Sequence, residues 1–261
     1  MKLFNTVYRC ARLLVACTLS LSLVACASTG MKNPQDPYEG FNRAMFSGNE
    51  NLDKVVKPVA QAYDDFTPLP VRVGVGSFFG NLQDSSIGLN NILQGKPSDG
   101  ANDWARLLIN STLGIFGLFD VASELGLEKH DEDFGQTLAK WGVPDGGYLF
   151  LPILGPRTVR DAGAWVVEQK LDPVGQIKDI PVRNSARVVR IVNARAEILP
   201  LEPLLEQATL NGDKYSYIRN SYLQRRRSLI HDGNPPPLPE NDATNNANDA
   251  AASSSTSSGT N

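Results

Sequence analysis

The sequence predicts an all-α fold, and three observations carry the prediction. Apolar residues recur at steps of three, four or seven through most of the stretch from Asp36 to Ile230, the period of one helical face. Prolines stand at or just before the starts of these periodic stretches, at Pro37, Pro70 and Pro181, where a missing N–H costs a helix least. No apolar run in that stretch approaches the about 20 residues that a spanning helix needs, so the helices are amphipathic rather than membrane-crossing.

The chain opens with Lys2, Arg9 and Arg12, followed by an uncharged run from Leu13 to Ala25, the layout of a secretory leader. Leu23-Val24-Ala25-Cys26 closes it and resembles the lipobox of bacterial lipoproteins. That resemblance implies cleavage before Cys26, a diacylglycerol on its sulfur and a third acyl chain on its amino group, and two or more chains anchor stably. Ala27 stands where Asp would retain such a protein at the inner membrane, which points outward. Cys10 and Cys17 leave with the leader, so the mature monomer has no disulfide and draws its stability from packing or from the membrane. Losing the three leader cations takes the formal charge from −3 to −6, which argues against a nucleic-acid partner.

The expected organisation is a leader over 1–25, a lipidated linker over 26–35, a helical domain over 36–232 and a disordered tail over 233–261. Asp36-Pro37-Tyr38-Glu39 reads as a helix start with Asp36 as the cap. Tyr38, Phe41, Met45, Leu52, Val56, Val59 and Tyr63 then share a face, and Pro58 is expected to kink or divide the helix near Lys57. In the next helix, Val71, Val75, Phe78, Leu82, Leu89 and Ile92 keep the period. Gly74, Gly76, Gly80 and Gly88 interrupt it at up to about 1 kcal/mol each, which calls for a compensating close approach or hinge. Gly74-Val75-Gly76 lacks the strand and third glycine of a dinucleotide fingerprint. From Leu107 to Phe119 there is no charge, and the run reads either as a buried core helix or as a segment within a membrane interface.

His130-Asp131-Glu132-Asp133 reads as the acidic start of a short helix carrying Phe134, Leu138 and Trp141, not as a metal cluster, because four consecutive residues cannot converge on one ion. Gly142 suits its end, and Pro144-Asp145-Gly146-Gly147 is a turn. Tyr148 to Leu154 is apolar and broken by Pro152, either a strand-like loop or a membrane-facing turn. Pro156 is expected to open another helix. In the helix opened by Pro181, Arg183, Arg187 and Arg190 fall within about 60° of arc on an otherwise apolar cylinder. The stripe is either a solvated face with snorkelling arginines or a polar channel wall or phosphate track. A last helix from Asp213 to Ile230 ends in Arg225-Arg226-Arg227, and Pro235-Pro236-Pro237 stops it.

Several blocks, in order, resemble the MlaA/VacJ family of outer-membrane lipoproteins: Asp36-Pro37-Tyr38-Glu39-Gly40-Phe41-Asn42-Arg43, Phe134-Gly135-Gln136-Thr137-Leu138, Gly146-Gly147-Tyr148, and Leu151-Pro152-Ile153-Leu154-Gly155-Pro156 with Arg160-Asp161. Ser47-Gly48 departs from an aromatic/Asn pair common after the first block. The resemblance implies a ring of amphipathic helices lying in the inner leaflet of the outer membrane around a polar channel. It also implies trimeric porins as partners and a hand-over of mislocalised phospholipids to a soluble periplasmic carrier that feeds an ABC transport system. Within that frame, Arg160, Asp161, Arg187 and Arg190 are the candidates for the channel lining and headgroup contacts. Gly135, Gly142, Gly146 and Gly147 are candidates for a gate. No cofactor or metal is expected. An enzyme such as a phospholipase ranks lower, since only His130 and His231 are available and no G-x-S-x-G motif accompanies them. A passive envelope scaffold is the remaining alternative.

Overall fold

The computed structural model describes residues 33–210 and 212–237. The leader, Cys26 and the tail from residue 238 lie outside them. Nine helices and one hairpin make up the described part: α1 (Glu39–Phe66), α2 (Leu69–Leu93), α3 (Pro97–Thr112), α4 (Val121–Glu124), α5 (Phe134–Lys140), β1 (Tyr148–Leu151), β2 (Gly155–Thr158), α6 (Val159–Leu171), α7 (Ile180–Glu197), α8 (Glu202–Thr209) and α9 (Lys214–Ile230). Short 3₁₀ turns at Pro173–Gln176 and Leu199–Leu201 join α6 to α7 and α7 to α8. No helix among the described residues is long and apolar enough to cross a membrane.

Aspartates and a threonine set most of the later helix starts. Asp133, Asp179 and Asp213 cap α5, α7 and α9 by accepting from backbone N–H groups in the first turn, and Thr158 caps α6. The first helix differs from expectation. It begins at Glu39 with Tyr38 as the flanking residue, and Asp36 is buried instead of capping. Pro58 does not divide it, for α1 runs unbroken from Glu39 to Phe66. Pro58 and Lys54, whose carbonyl loses its donor, are both exposed, and the packing of α1 along α7 carries the helix across the gap. Pro156 lies in β2, so α6 starts at Val159.

Packing closes a circuit. α1 lies against α7 and against β1, β1 pairs antiparallel with β2 (Tyr148 opposite Thr158), β2 touches α9, α9 touches α5, α5 touches α2, and α2 returns to α7. The α2–α3 hairpin is the tightest unit: Gly88 and Gly100 let the two backbones approach, and a Cβ on Gly88 would come within 2.7 Å of the Trp104 ring. This is the close approach that the glycines of α2 call for.

Most of the large buried side chains are polar, and many large apolar ones are exposed. Fully buried side chains include Asn42, Asp84, Asn91, Asp103, Arg106, Gln136 and Asp161, while the apolar core is small, centred on Tyr148, Phe150 and Tyr215 with Phe46 set edge-on between rings. Large apolar side chains face outward on almost every helix, among them Phe66 at 87% exposure, Leu108 at 66% and Phe116 at 77%. Soluble domains bury such groups and expose the polar ones. The run from Leu107 to Phe119 shows the inversion in small. α3 ends at Thr112, and the chain then turns through Ile115 and Phe116, both in the left-handed region at φ 51° and 59°, with Leu113, Ile115, Phe116 and Phe119 exposed. The buried core helix expected as one alternative is not there, because half the run is a tight turn pointing away from the interior.

Candidate functional site

Three buried polar hubs hold the circuit together, and each ties several elements. At the first, Asp36 accepts from Asn42 Nδ2 (2.7 Å), the Tyr215 hydroxyl (2.5 Å) and Arg219 Nη1 (3.1 Å). Asn42 in turn donates to the Tyr148 carbonyl (3.1 Å) and accepts from the Phe150 N–H (2.8 Å). Seven residues on, Asn49 repeats the clamp, donating to the Leu151 carbonyl (3.0 Å) and accepting from the Ile153 N–H (2.8 Å). Two asparagines on one face of α1 therefore satisfy the outer edge of β1 as a third strand would.

The second hub holds the hairpin from the other side. Arg226 of α9 donates to both oxygens of Asp133 (2.5 and 2.7 Å) and to Asp161 Oδ1 (2.9 Å). Tyr222 donates to the other Asp161 oxygen (2.9 Å), and Arg160 Nε to Oδ1 (3.1 Å). Burial works against ionisation of Asp161, but Arg226, Arg160 and the Tyr222 hydroxyl outweigh it and hold the carboxyl below its ordinary range. Burial and the adjacent Asp161 charge push the Tyr222 hydroxyl up. Gly135 is fixed by the same cluster, since a Cβ there would overlap Arg226 and Asp161.

The third hub joins α2, α3 and α4. Arg106, 1% exposed, donates to both oxygens of Asp120 (2.9 and 2.8 Å) and to the Leu127 carbonyl (2.5 Å). Burial opposes ionisation of Asp120, yet hydrogen bonds from Ser123, Asn110 and Arg106 pull its carboxyl down to about 2. Asp103 accepts from Asn91 (2.7 Å) and meets His130 Nδ1 (2.8 Å). Lys129 pairs with Asp84, whose carboxyl burial pushes up. His130 is thus part of a structural network, and no serine is among its hydrogen-bond partners in the described residues.

Two cavities open off these hubs. One, of about 520 Å³, lies between α1, the hairpin tip, α7, α8 and α9. Its walls are apolar (Leu52, Val56, Ile191, Leu205, Ile218), and its edge is charged, with Arg195 of α7 gripping both oxygens of Asp53 (2.7 and 2.8 Å) and reaching Glu202. The hydrogen bonds from Arg195 hold the Asp53 carboxyl down. The other cavity, of about 470 Å³, is lined by Arg160, Arg226, Arg227, Thr158, Asp145 and Gly147.

The residues singled out in the sequence divide between these places. Arg160 lines the second cavity and also donates to the Val143 carbonyl (3.2 Å), with Asp161 buried beneath it. Gly142, Gly146 and Gly147 all have positive φ (87°, 72° and 92°) and lead into the hairpin, where Gly147 lies against Pro37. Arg187 and Arg190 line neither cavity. Arg190 pairs with Asp172 (2.9 Å) and lies over the Phe79 ring at 5.8 Å, and Arg187 packs near the backbone of Gly175. Sequence reasoning missed Asp36, Asn42, Asn49 and Arg195. The DPYEGFN block hid the first two inside a helix-start signal, and no periodicity separates Arg195 from the other arginines of α7.

Helices with many exposed large apolar side chains, joined by buried polar hubs and flanked by two cavities, define an all-α protein with an amphipathic surface. The chain belongs to the MlaA lipoprotein family, whose model matches residues 34–229. It is 36% identical over 218 residues to the intermembrane phospholipid transport system lipoprotein MlaA of Escherichia coli, covering 81% of this chain and 85% of that protein. The lipoprotein of the same name from Haemophilus influenzae is 31% identical over 231 residues, covering 85% and 91%. A solved structure described as the structural basis for maintenance of bacterial outer membrane lipid asymmetry superposes with a TM-score of 0.65 at 34% identity. It covers 75% of this chain and 98% of that one.

Proposed function

We propose that this protein is an outer-membrane lipoprotein, held by acyl groups on Cys26, that withdraws mislocalised phospholipids from the outer leaflet. It passes them through its polar interior to a soluble periplasmic carrier of an ABC transport system, in company with a trimeric porin. It works as a conduit rather than an enzyme. The observation that carries the reading is the inverted polarity: outward-facing Phe66, Leu108, Phe116 and their neighbours suit acyl chains, and the charged interior suits a headgroup. The names of the Escherichia coli and Haemophilus influenzae relatives support the same role.

In this reading the 113–119 turn sits in the membrane interface. Arg160 and Asp161 meet the headgroup at one cavity, and Arg187 and Arg190 extend a polar track along α7. The glycines at 135, 142, 146 and 147 frame a gate at the hairpin. The deciding measurement is outer-leaflet phospholipid in cells with and without the gene, complemented by the wild type or by Cys26→Ala. Accumulation in the deletion strain that only the acylated protein reverses is expected, and unchanged lipid distribution would defeat the proposal. Replacing Arg187 and Arg190 together by Ala tests the track in the same assay. Hydrogen exchange at 142–147 as slow as in the helices would remove the gate.

A further inference from the structure

The charges at the 520 Å³ cavity do not balance, and the imbalance says something about the ligand. Four carboxylates stand on its lining (Glu50, Asp53, Glu202 and Glu206) against Lys57, Arg195 and Lys214. Every cation is already engaged: Arg195 with Asp53 and Glu202, Lys57 with Glu202 at 2.6 Å, Lys214 with Glu50 at 2.6 Å. Glu206 is left without an ion pair among the described residues. A carboxylate in excess at the edge of an apolar-walled cavity disfavours a ligand whose only charge is negative and favours one that brings a cation.

We propose that this cavity selects phospholipids by headgroup, taking those that carry an ammonium group, with Glu206 as the acceptor of that ammonium. The proposal rests on the phospholipid-handling function above and narrows it to zwitterionic lipids of the phosphatidylethanolamine type. The headgroup phosphate meets Lys57 and Lys214, whose side chains are 35% and 39% exposed and whose ammonium groups have three donors each, so they can take a phosphate oxygen while keeping Glu202 and Glu50. The first methylenes of the acyl chains lie on Leu52, Val56, Ile191 and Ile218. A volume of about 520 Å³ falls within the about 300–1,000 Å³ of ordinary ligand pockets, enough for a headgroup and the upper part of its chains. A phosphatidylglycerol headgroup offers Glu206 only hydroxyls and adds a negative charge to a lining that already has one in excess.

The test uses the full-length acylated protein in mild detergent, with equimolar phosphatidylethanolamine and phosphatidylglycerol of identical acyl chains, and bound lipid read by native mass spectrometry. A partly exposed ion pair is worth up to about fivefold, so the wild type should hold the ethanolamine lipid up to about fivefold over the glycerol lipid. Glu206→Gln should bring the ratio close to one, and Glu206→Lys should invert it, with near-UV circular dichroism verifying the fold of each. Equal binding by the wild type, a preference for the glycerol lipid, or a ratio untouched by Glu206→Gln overturns the selectivity while leaving phospholipid handling standing. Binding of neither lipid overturns both.

Discussion

Replacing Arg226 by Leu tests whether the inside of this protein is held by charge. The guanidinium joins Asp133, the cap of α5, to Asp161 in the first turn of α6, and it does so from α9, so one side chain ties three elements. Asp161 is 2% exposed and, among the described residues, keeps only Arg160 as an ion-pair partner when Arg226 is gone. Removing one partner of a buried pair costs about 3–5 kcal/mol, because the remaining charge is left in a site that cannot hydrate it. For a domain of this size each kcal/mol lowers the thermal midpoint by about 2–4 °C, so the expected fall is roughly 6–20 °C. The assay is thermal unfolding by near-UV circular dichroism in detergent, with Asp161→Leu added to Arg226→Leu as the partner variant. The double variant should recover part of the loss, since it removes the stranded charge along with its partner. A fall under about 3 °C for Arg226→Leu, or a double variant worse than the sum of the singles, would refute the reasoning and reduce the hub to a surface ion pair.

Asp120 gives the pH dependence. Its folded carboxyl is drawn down to about 2, below the unfolded value of about 4, so its stabilisation is present above about pH 4 and lost as the pH falls toward 2. Asp120→Asn should therefore lower the thermal midpoint at pH 6, with the gap to wild type closing by about pH 2; a gap constant with pH would mean that shape, not charge, is at work. Gly88→Ala should cost about 1–3 kcal/mol, because its Cβ meets Trp104 at 2.7 Å and the Gly100 carbonyl at 3.0 Å, and the tryptophan fluorescence should shift with it. Gly48→Ala in α1, where a Cβ meets nothing within 4 Å, should instead stabilise by up to about 1 kcal/mol in the same melt. Asn42→Ala should leave the Phe150 N–H without its acceptor and speed hydrogen exchange there while the α2–α3 hairpin stays protected.

The helices were legible because their signals are local. The apolar period of α1, the prolines that open α2 and α7, and the aspartates of α5 and α9 all act within a turn of where they stand. Which way each helix faces was less legible. A stripe of Val55, Val59 and Leu52 has the same period whether it faces a protein core or a lipid tail, and here it is the exposed side. Pro156 misled because a proline suits a strand at a sheet edge as well as a helix start, and Asp36 because a cap signal and a buried acceptor look alike in sequence. The hubs were the least legible part. Asp36 with Arg219, Arg226 with Asp133 and Arg195 with Asp53 are joined across the circuit, and only the fold says which of the chain's arginines meets which carboxylate.

That inversion also explains how the described residues, which include no cysteine and have so small an apolar core, hold their shape. Burial of apolar area is the usual source of stability, yet here much of the apolar surface faces outward and contributes only when something apolar covers it. The interior must then be held by directional bonds, and the carboxylates of the hubs are multiply engaged: Asp36 accepts three hydrogen bonds, Asp161 accepts from Arg160, Tyr222 and Arg226, and Arg106 binds Asp120 through two nitrogen–oxygen contacts, while Arg106 Nε and Asp84 Oδ2 stay without a hydrogen bond among the described residues. Members of a buried polar network strengthen one another, and removing one leaves its partners unpaired in a low dielectric, which is costly. On the proposed function, a protein that offers polar groups to a passing headgroup has reason to keep its own polar groups bound to one another, leaving to the ligand the charges at the cavity edges.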